Sequence, residues 1–231
     1  MKRDLKGFVV FLAVMGVVRI SSAGVFVAPT LEISDGVHPI IIVNDNFVGD
    51  LNSAIGEVTV STNVGVWNLS ISTGVSKPDL GSSTNPVMDL VIQASSTGAG
   101  SLTYTFSDIN FSHAAGTLNS TVSGHVISGA PTTIDYTVFG NSNNLVGALT
   151  SQLTTTGTIP LPVLTSNSGA LAFSSPFSLS QVVQLTASGA SSVSVDASLS
   201  VIPEPSTVTL TFLGLALVVD LARRRRSLRR V

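Results

Sequence analysis

The sequence predicts an all-β protein, an antiparallel sandwich of jelly-roll-like form, preceded by a cleavable N-terminal segment and followed by one C-terminal membrane-spanning helix. Three observations predict it. Apolar residues recur two apart through most of the chain, with Ser, Thr, Asn or Asp between them. Clusters of Gly and Asn interrupt that alternation at short intervals. A short apolar run flanked by basic residues stands at each end and nowhere else. The division that follows is 1–23, 24–202 and 203–231.

The first segment opens with Lys2, Arg3 and Lys6, continues through eleven apolar residues at 8–18, and closes with Ser21 and Ala23, small residues two apart. This is the layout of a secretory signal peptide, with signal peptidase expected to cut after Ala23. As a helix the apolar run would span about 16 Å, too short for a hydrocarbon core of about 30 Å.

In the central segment the alternation is explicit at Val58-Val60, Val64-Val66, Leu69-Ile71, Leu90-Ile92, Leu102-Tyr104-Phe106, Ile134-Tyr136-Val138 and Val193-Val195-Ala197-Leu199-Val201. A period of two puts successive side chains on opposite faces, so one face is buried and one is wet. Residues 98–100 and 140–144 read as turns, and 157–162, with Pro160 and Pro162, as a loop. Roughly ten short strands at such spacing argue for a sandwich. A repeat solenoid is the alternative, but neither the glycines nor the apolar pairs hold a fixed period. The last strand runs directly into Pro203 with no linker.

Charge narrows the function classes. Between residues 24 and 202 there is one base, Lys77, against ten acids, a net charge of about −9, although the whole chain carries only −2. Such a body repels phosphate backbones, which argues against nucleic-acid binding. The absence of cysteine removes disulfides, thiolate nucleophiles and Cys-ligated zinc.

The third segment has three parts: Pro203-Glu204-Pro205, an apolar stretch at 208–222, and Arg223, Arg224, Arg225 and Arg226, with Arg229 and Arg230 beyond. Both prolines fix φ near −65° and disfavour helix in the residue before them, so 202–206 is expected to be a stiff extended stalk. Nine strongly apolar residues supply roughly −3 to −5 kcal/mol of insertion energy, against about +3 kcal/mol for Asp220 at mid-membrane. Asp220 sits near the end of the stretch, three and four residues before Arg223 and Arg224, where pairing lowers that cost. The arginines place the C-terminus in the cytoplasm and the body outside.

The order Val201-Ile202-Pro203-Glu204-Pro205-Ser206-Thr207, apolar helix, arginine cluster resembles the PEP-CTERM sorting signal. The resemblance covers about thirty residues. It implies that an exosortase-type membrane enzyme recognises Pro203, Glu204 and Pro205, cuts near them, and passes the protein from the inner membrane to the cell surface or extracellular matrix. Arg223–226 would then be the topology signal. Tails of this type also occur on proteins described as ice-binding, so that label would attach through the tail alone. Stretches such as 65–69, 102–108 and 136–139 are loosely similar to other bodies with such tails and carry no site across.

Candidate chemistry in the body is sparse. His38, His113 and His125 could supply a catalytic general base, but no Gly-x-Ser-x-Gly elbow accompanies them, and the chain is not expected to be an enzyme. No cofactor is expected. Residues 44–50, Asn-Asp-Asn-Phe-Val-Gly-Asp, cluster oxygen ligands as a structural calcium loop does, with Asp108 and Asn110 as weaker additions, yet lack the EF-hand spacing and its distal glutamate. Trp67, Tyr104 and Tyr136 are candidates for a sugar-stacking platform, the basis for an alternative role as a carbohydrate-binding or adhesive module with extracellular polysaccharide as partner. Trp67 alternates in phase with Leu69 and Ile71, which favours core packing instead. Thr103-Thr105 and Thr154-Thr156 are short of a threonine ladder. Three Asn-x-Ser/Thr triplets, at 68, 110 and 119, carry no assigned role.

Overall fold

The computed structural model describes residues 29–112 and 115–203. It contains thirteen strands: β1 (Thr30–Ser34), β2 (Ile41–Asn44), β3 (Glu57–Val64), β4 (Trp67–Val75), β5 (Val87–Ser96), β6 (Gly100–Phe111), β7 (Gly116–Gly129), β8 (Thr132–Asn141), β9 (Ser151–Thr155), β10 (Ile159–Pro160), β11 (Val163–Leu171), β12 (Phe177–Ala187) and β13 (Ser191–Pro203). One sheet runs β10-β8-β12-β6-β1-β2, with β9 also paired to β8, and the other runs β11-β7-β13-β5-β4-β3. Every pairing is antiparallel, and the two sheets pack as a β-sandwich.

Of the connections that carry the chain from one sheet to the other, three set the topology: β5 to β6, β7 to β8 and β12 to β13. The last pair inserts between the first two, so β12 lies between β6 and β8 while β13 lies between β5 and β7. Pairing of this kind joins residues far apart in sequence, which a solenoid does not do. Two of the connections are laced together: Ala130 N–H donates to the Ala190 carbonyl at 2.8 Å and Ser188 N–H to the Pro131 carbonyl at 3.1 Å. Gly129, at φ +99°, stands so close to the Ala190 carbonyl that a Cβ there would overlap it.

The inner faces carry the core that the alternation predicts, with Leu102, Tyr104 and Phe106 buried on β6, Ile134, Tyr136 and Val138 on β8, and Val193, Val195, Ala197, Leu199 and Val201 on β13. Three sequence readings change. Val64 and Val66 do not share a strand, because Gly65, at φ +55°, makes the turn between β3 and β4. Ile71 is exposed although Trp67 and Leu69 are buried, because a bulge between Leu69 and Ile71 leaves Ser70 and Ile71 both on the outer face and brings Ser72 inward. Residues 157–162 are not only a loop: Ile159 and Pro160 form β10, paired with Ile134 and Thr133.

Buried polar contacts link the two sheets, among them one built on Gln181. Gln181 sits on β12 at an inward position between Leu179 and Val183. Tyr136 Oη lies 2.7 Å from the Gln181 amide and 3.0 Å from the Ser198 carbonyl on the opposite sheet. Tyr136 is the donor in both contacts, its one hydroxyl proton shared between Gln181 Oε1 and the Ser198 carbonyl, a link that pins the sheets together.

Candidate functional site

The strand that leads to the tail is held on both sides almost to its end. β13 alternates Val, Val, Ala, Leu and Val inward with Ser and Asp outward, and is paired on both sides. Pairing to β5 ends at Ser200, opposite Val87, while pairing to β7 continues through Ile202, opposite Thr117, to Pro203, opposite Gly116. Val201 N–H also donates to the Pro86 carbonyl at 3.0 Å. Ile202 and Pro203, expected to open the stalk, thus close the last strand. Glu204, Pro205, the apolar stretch 208–222, Arg223–226, the segment 1–23 with Ala23, and His113 lie outside the described residues. Among the described residues no helix is long and apolar enough to cross a membrane.

Strand directions place the connections 45–56, 76–86, 142–150 and 172–176 at the end of the sandwich where β13 finishes, together with Pro29. The opposite end is made mostly of tight turns. A cleft of about 790 Å³ opens at the tail end, lined by Pro29, Asp45, Ile55, Lys77, Ser82 and Asp108 among others. Lys77, the body's only base, reaches into it from the β4–β5 connection. Its Nζ is 2.6 Å from Asp108 Oδ2, donates to the Ile109 carbonyl, and stands 4.2 Å from the centre of the Phe111 ring. Ser76 Oγ donates to the same Asp108 oxygen at 2.7 Å, and Ile109 N–H to the other. Asp108 is buried. The cleft therefore holds an internal cation against a desolvated carboxylate.

The oxygens of 44–50 hold a turn. Asp45 accepts from Gly56 N–H at 2.9 Å and from Asn46 Nδ2, while Asp50 accepts from the N–H groups of Asn46, Asn52 and Thr59. Burial pushes the Asp45 carboxyl above its usual value, and the charges of Asp50 and Asp108 add to that. Among the described residues no three His, Cys, Asp or Glu side chains converge as a metal site.

The two described histidines, His38 and His125, lie on different segments. His38 Nδ1 lies 2.7 Å from Asp35 Oδ2 in the β1–β2 connection, at the end away from the tail. The backbone N–H of His38, its ring, and the N–H of Val37 together hold the Asp35 carboxyl down at about 2. Ser101 lines the same recess, but its hydroxyl is 3.0 Å from Thr186 Oγ1. His125 is exposed on β7, beside Ser194 of β13.

The stacking platform is overturned: Trp67, Tyr104 and Tyr136 are all buried in the core. Their alternation with other apolar residues already put them on inner faces. Thr103 and Thr105 lie on the outer face of β6, where their β12 neighbours are Gln184 and Val182, whereas Thr154 is buried against Ser120 at 2.8 Å, so the threonines form no ladder.

Sequence reading missed a carboxyl pair, because only strand register creates it. Ser198 faces Asp89 and Asp196 faces Val91, so Asp89 and Asp196 are diagonal neighbours outside the second sheet. Burial, then the charge of Asp196, pushes Asp89 up to about 6. An acid whose folded pKa exceeds its unfolded value of about 3.9 costs stability when ionised, so the penalty is complete above about pH 6 and absent below about pH 4. Asp89→Asn should accordingly raise stability near pH 7 by about 1 kcal/mol, after discounting for partial exposure, and give no gain near pH 4. Denaturant melts at the two pH values test this; an equal effect at both would contradict it.

Comparison with known proteins identifies the end of the chain. Residues 201–226 match the PEP-CTERM protein-sorting motif, which implies export, cell-surface sorting and exosortase processing. No curated protein matches the chain. Among solved structures, the body is similar to carbohydrate-binding modules of the β-sandwich superfamily (12% identity, 73% of this chain and 70% of that one, TM-score 0.35). It is also similar to the K1 cleaved adhesin domain of Lys-gingipain from Porphyromonas gingivalis W83 (12%, 66% and 93%, 0.35). A third is the CBM22-1 xylan-binding domain from Paenibacillus barcinonensis (12%, 64% and 95%, 0.30). Likenesses at this level bear on neither ligand nor activity.

Proposed function

We propose that this chain is a non-catalytic surface protein whose sandwich is exported behind a signal peptide cut after Ala23. The stretch 208–222 then holds it at the inner membrane, and an exosortase-type enzyme releases it to the cell surface or matrix. The observation that carries this reading is β13. A central strand, buried on one face and paired through Pro203, delivers the sorting motif at the edge of a completed fold. Removal of everything after the motif therefore leaves the core whole. The insertion of β12 and β13 between the pairs β5–β6 and β7–β8 supports a jelly-roll-like wrap of the body.

In this reading Glu204, fixed between Pro203 and Pro205, presents the recognised carboxylate, and Arg223–226 set the topology. Replacing Pro203, Glu204 and Pro205 together by alanine should leave full-length protein in the membrane fraction while the body still folds. Normal release of that variant would sink the proposal.

A further inference from the structure

The end of the sandwich from which the tail leaves also carries a set of exposed apolar side chains. Val48 is 99% exposed and Phe47 54%, both in the connection after β2; Leu145, in the connection after β8, is 55% exposed, and Ile202, two residues before the motif's glutamate, 56%. None of these contributes to the core. They belong to three segments that are distant in sequence and meet at one end of the sandwich.

Tether length decides what they face. Between Pro203 and the start of the apolar stretch at Val208 there are four residues, a reach of at most about 18 Å when fully extended. The six-stranded sheet that contains β13 is about 24 Å wide at about 4.8 Å per strand, and β13 is third from one edge. A body tied so closely beneath a central strand cannot turn its tail end away from the membrane.

We propose that, while the tail is uncut, this end of the sandwich rests on the lipid bilayer, with Phe47 and Val48 entering the interface and Leu145 and Ile202 beside them. The inference rests on the tail being membrane-held, as proposed above. Contacts too weak to bind a free protein suffice here, because the tether keeps the local concentration of bilayer high. The body is acidic, and its one base, Lys77, is paired with Asp108. The contact is therefore apolar rather than a basic patch on anionic lipid, and added salt should not weaken it.

The chain has no cysteine, so single labels are clean. Full-length Val48→Cys, Leu145→Cys, Val37→Cys and Leu213→Cys, each carrying an environment-sensitive fluorophore, would be reconstituted in vesicles of phosphatidylethanolamine and phosphatidylglycerol. Val37, 84% exposed at the far end, is the water-facing control, and Leu213 reports the tail. Labels at 48, 145 and 213 should shift to the blue, be quenched by nitroxide lipids and resist aqueous quencher, at low and at high salt, while the label at 37 stays in water. Shielding at 213 with full water exposure at 48 and 145 would overturn the docking and leave the tail reading intact. Exposure at 213 would overturn both. Shielding at 48 that needs a co-reconstituted processing enzyme would replace the bilayer with that enzyme as the occupant.

Discussion

Trp67→Ala should cost about 3–5 kcal/mol of folding stability, the usual range for removing a large aromatic from a packed core. Trp67 opens β4, is buried between the sheets, and is followed inward by Leu69 before the bulge turns the strand over. Its indole N–H has no hydrogen-bond partner among the described residues. Trp67→Phe should therefore cost markedly less, because it keeps an aromatic ring and removes an unsatisfied donor. Urea melts of the two variants give the comparison, provided the m-value is unchanged. A near-neutral alanine variant would mean that the ring is not packed as described. The same burial makes Trp67→Ala useless as a probe of glycan binding, since lost binding would report lost fold.

Lys77→Met should cost about 3–5 kcal/mol, because it leaves Asp108 buried without its cation. The methionine keeps most of the side chain's apolar length and removes the ammonium that pairs with Asp108 and stands over the Phe111 ring, so the loss isolates the charge. Adding Asp108→Asn to the same chain should recover most of it, since the uncompensated carboxylate, rather than the absence of an ion pair, is what destabilises. The double-mutant cycle tests this directly. If the double variant is no more stable than Lys77→Met alone, the pair is not the origin of the effect.

Most of the central strands were legible because each buries one face. The runs at 102–106, 134–138 and 193–201 place every predicted core residue where the structure buries it. The bulge at Ser70 was not legible: one extra residue reverses the face of everything after it, and no turn residue marks the spot. The edge strands β9, β10 and β11 were hidden too. β11 turns residues as polar as Thr165 and Asn167 to the half-buried side, so its sequence carries little contrast. Pairs made by register, such as Asp89 with Asp196, or by a connection that reaches the other sheet, such as Lys77 with Asp108, could not be read, since nothing in the local sequence announces which segments will meet. Lys77 did carry a signal in its solitude as the body's one base. The sorting motif was the most legible feature, because an enzyme must recognise it as a short linear segment.

The mature C-terminus tests the central claim, that the motif begins where the fold ends. Intact mass measurement of protein recovered from the cell surface or medium should show a chain ending between residues 203 and 207, with β13 complete and residues 208–231 gone. A cut before Val201 would strip a buried residue from its pairing with β7 and contradict the claim, as would surface protein that still ends at Val231.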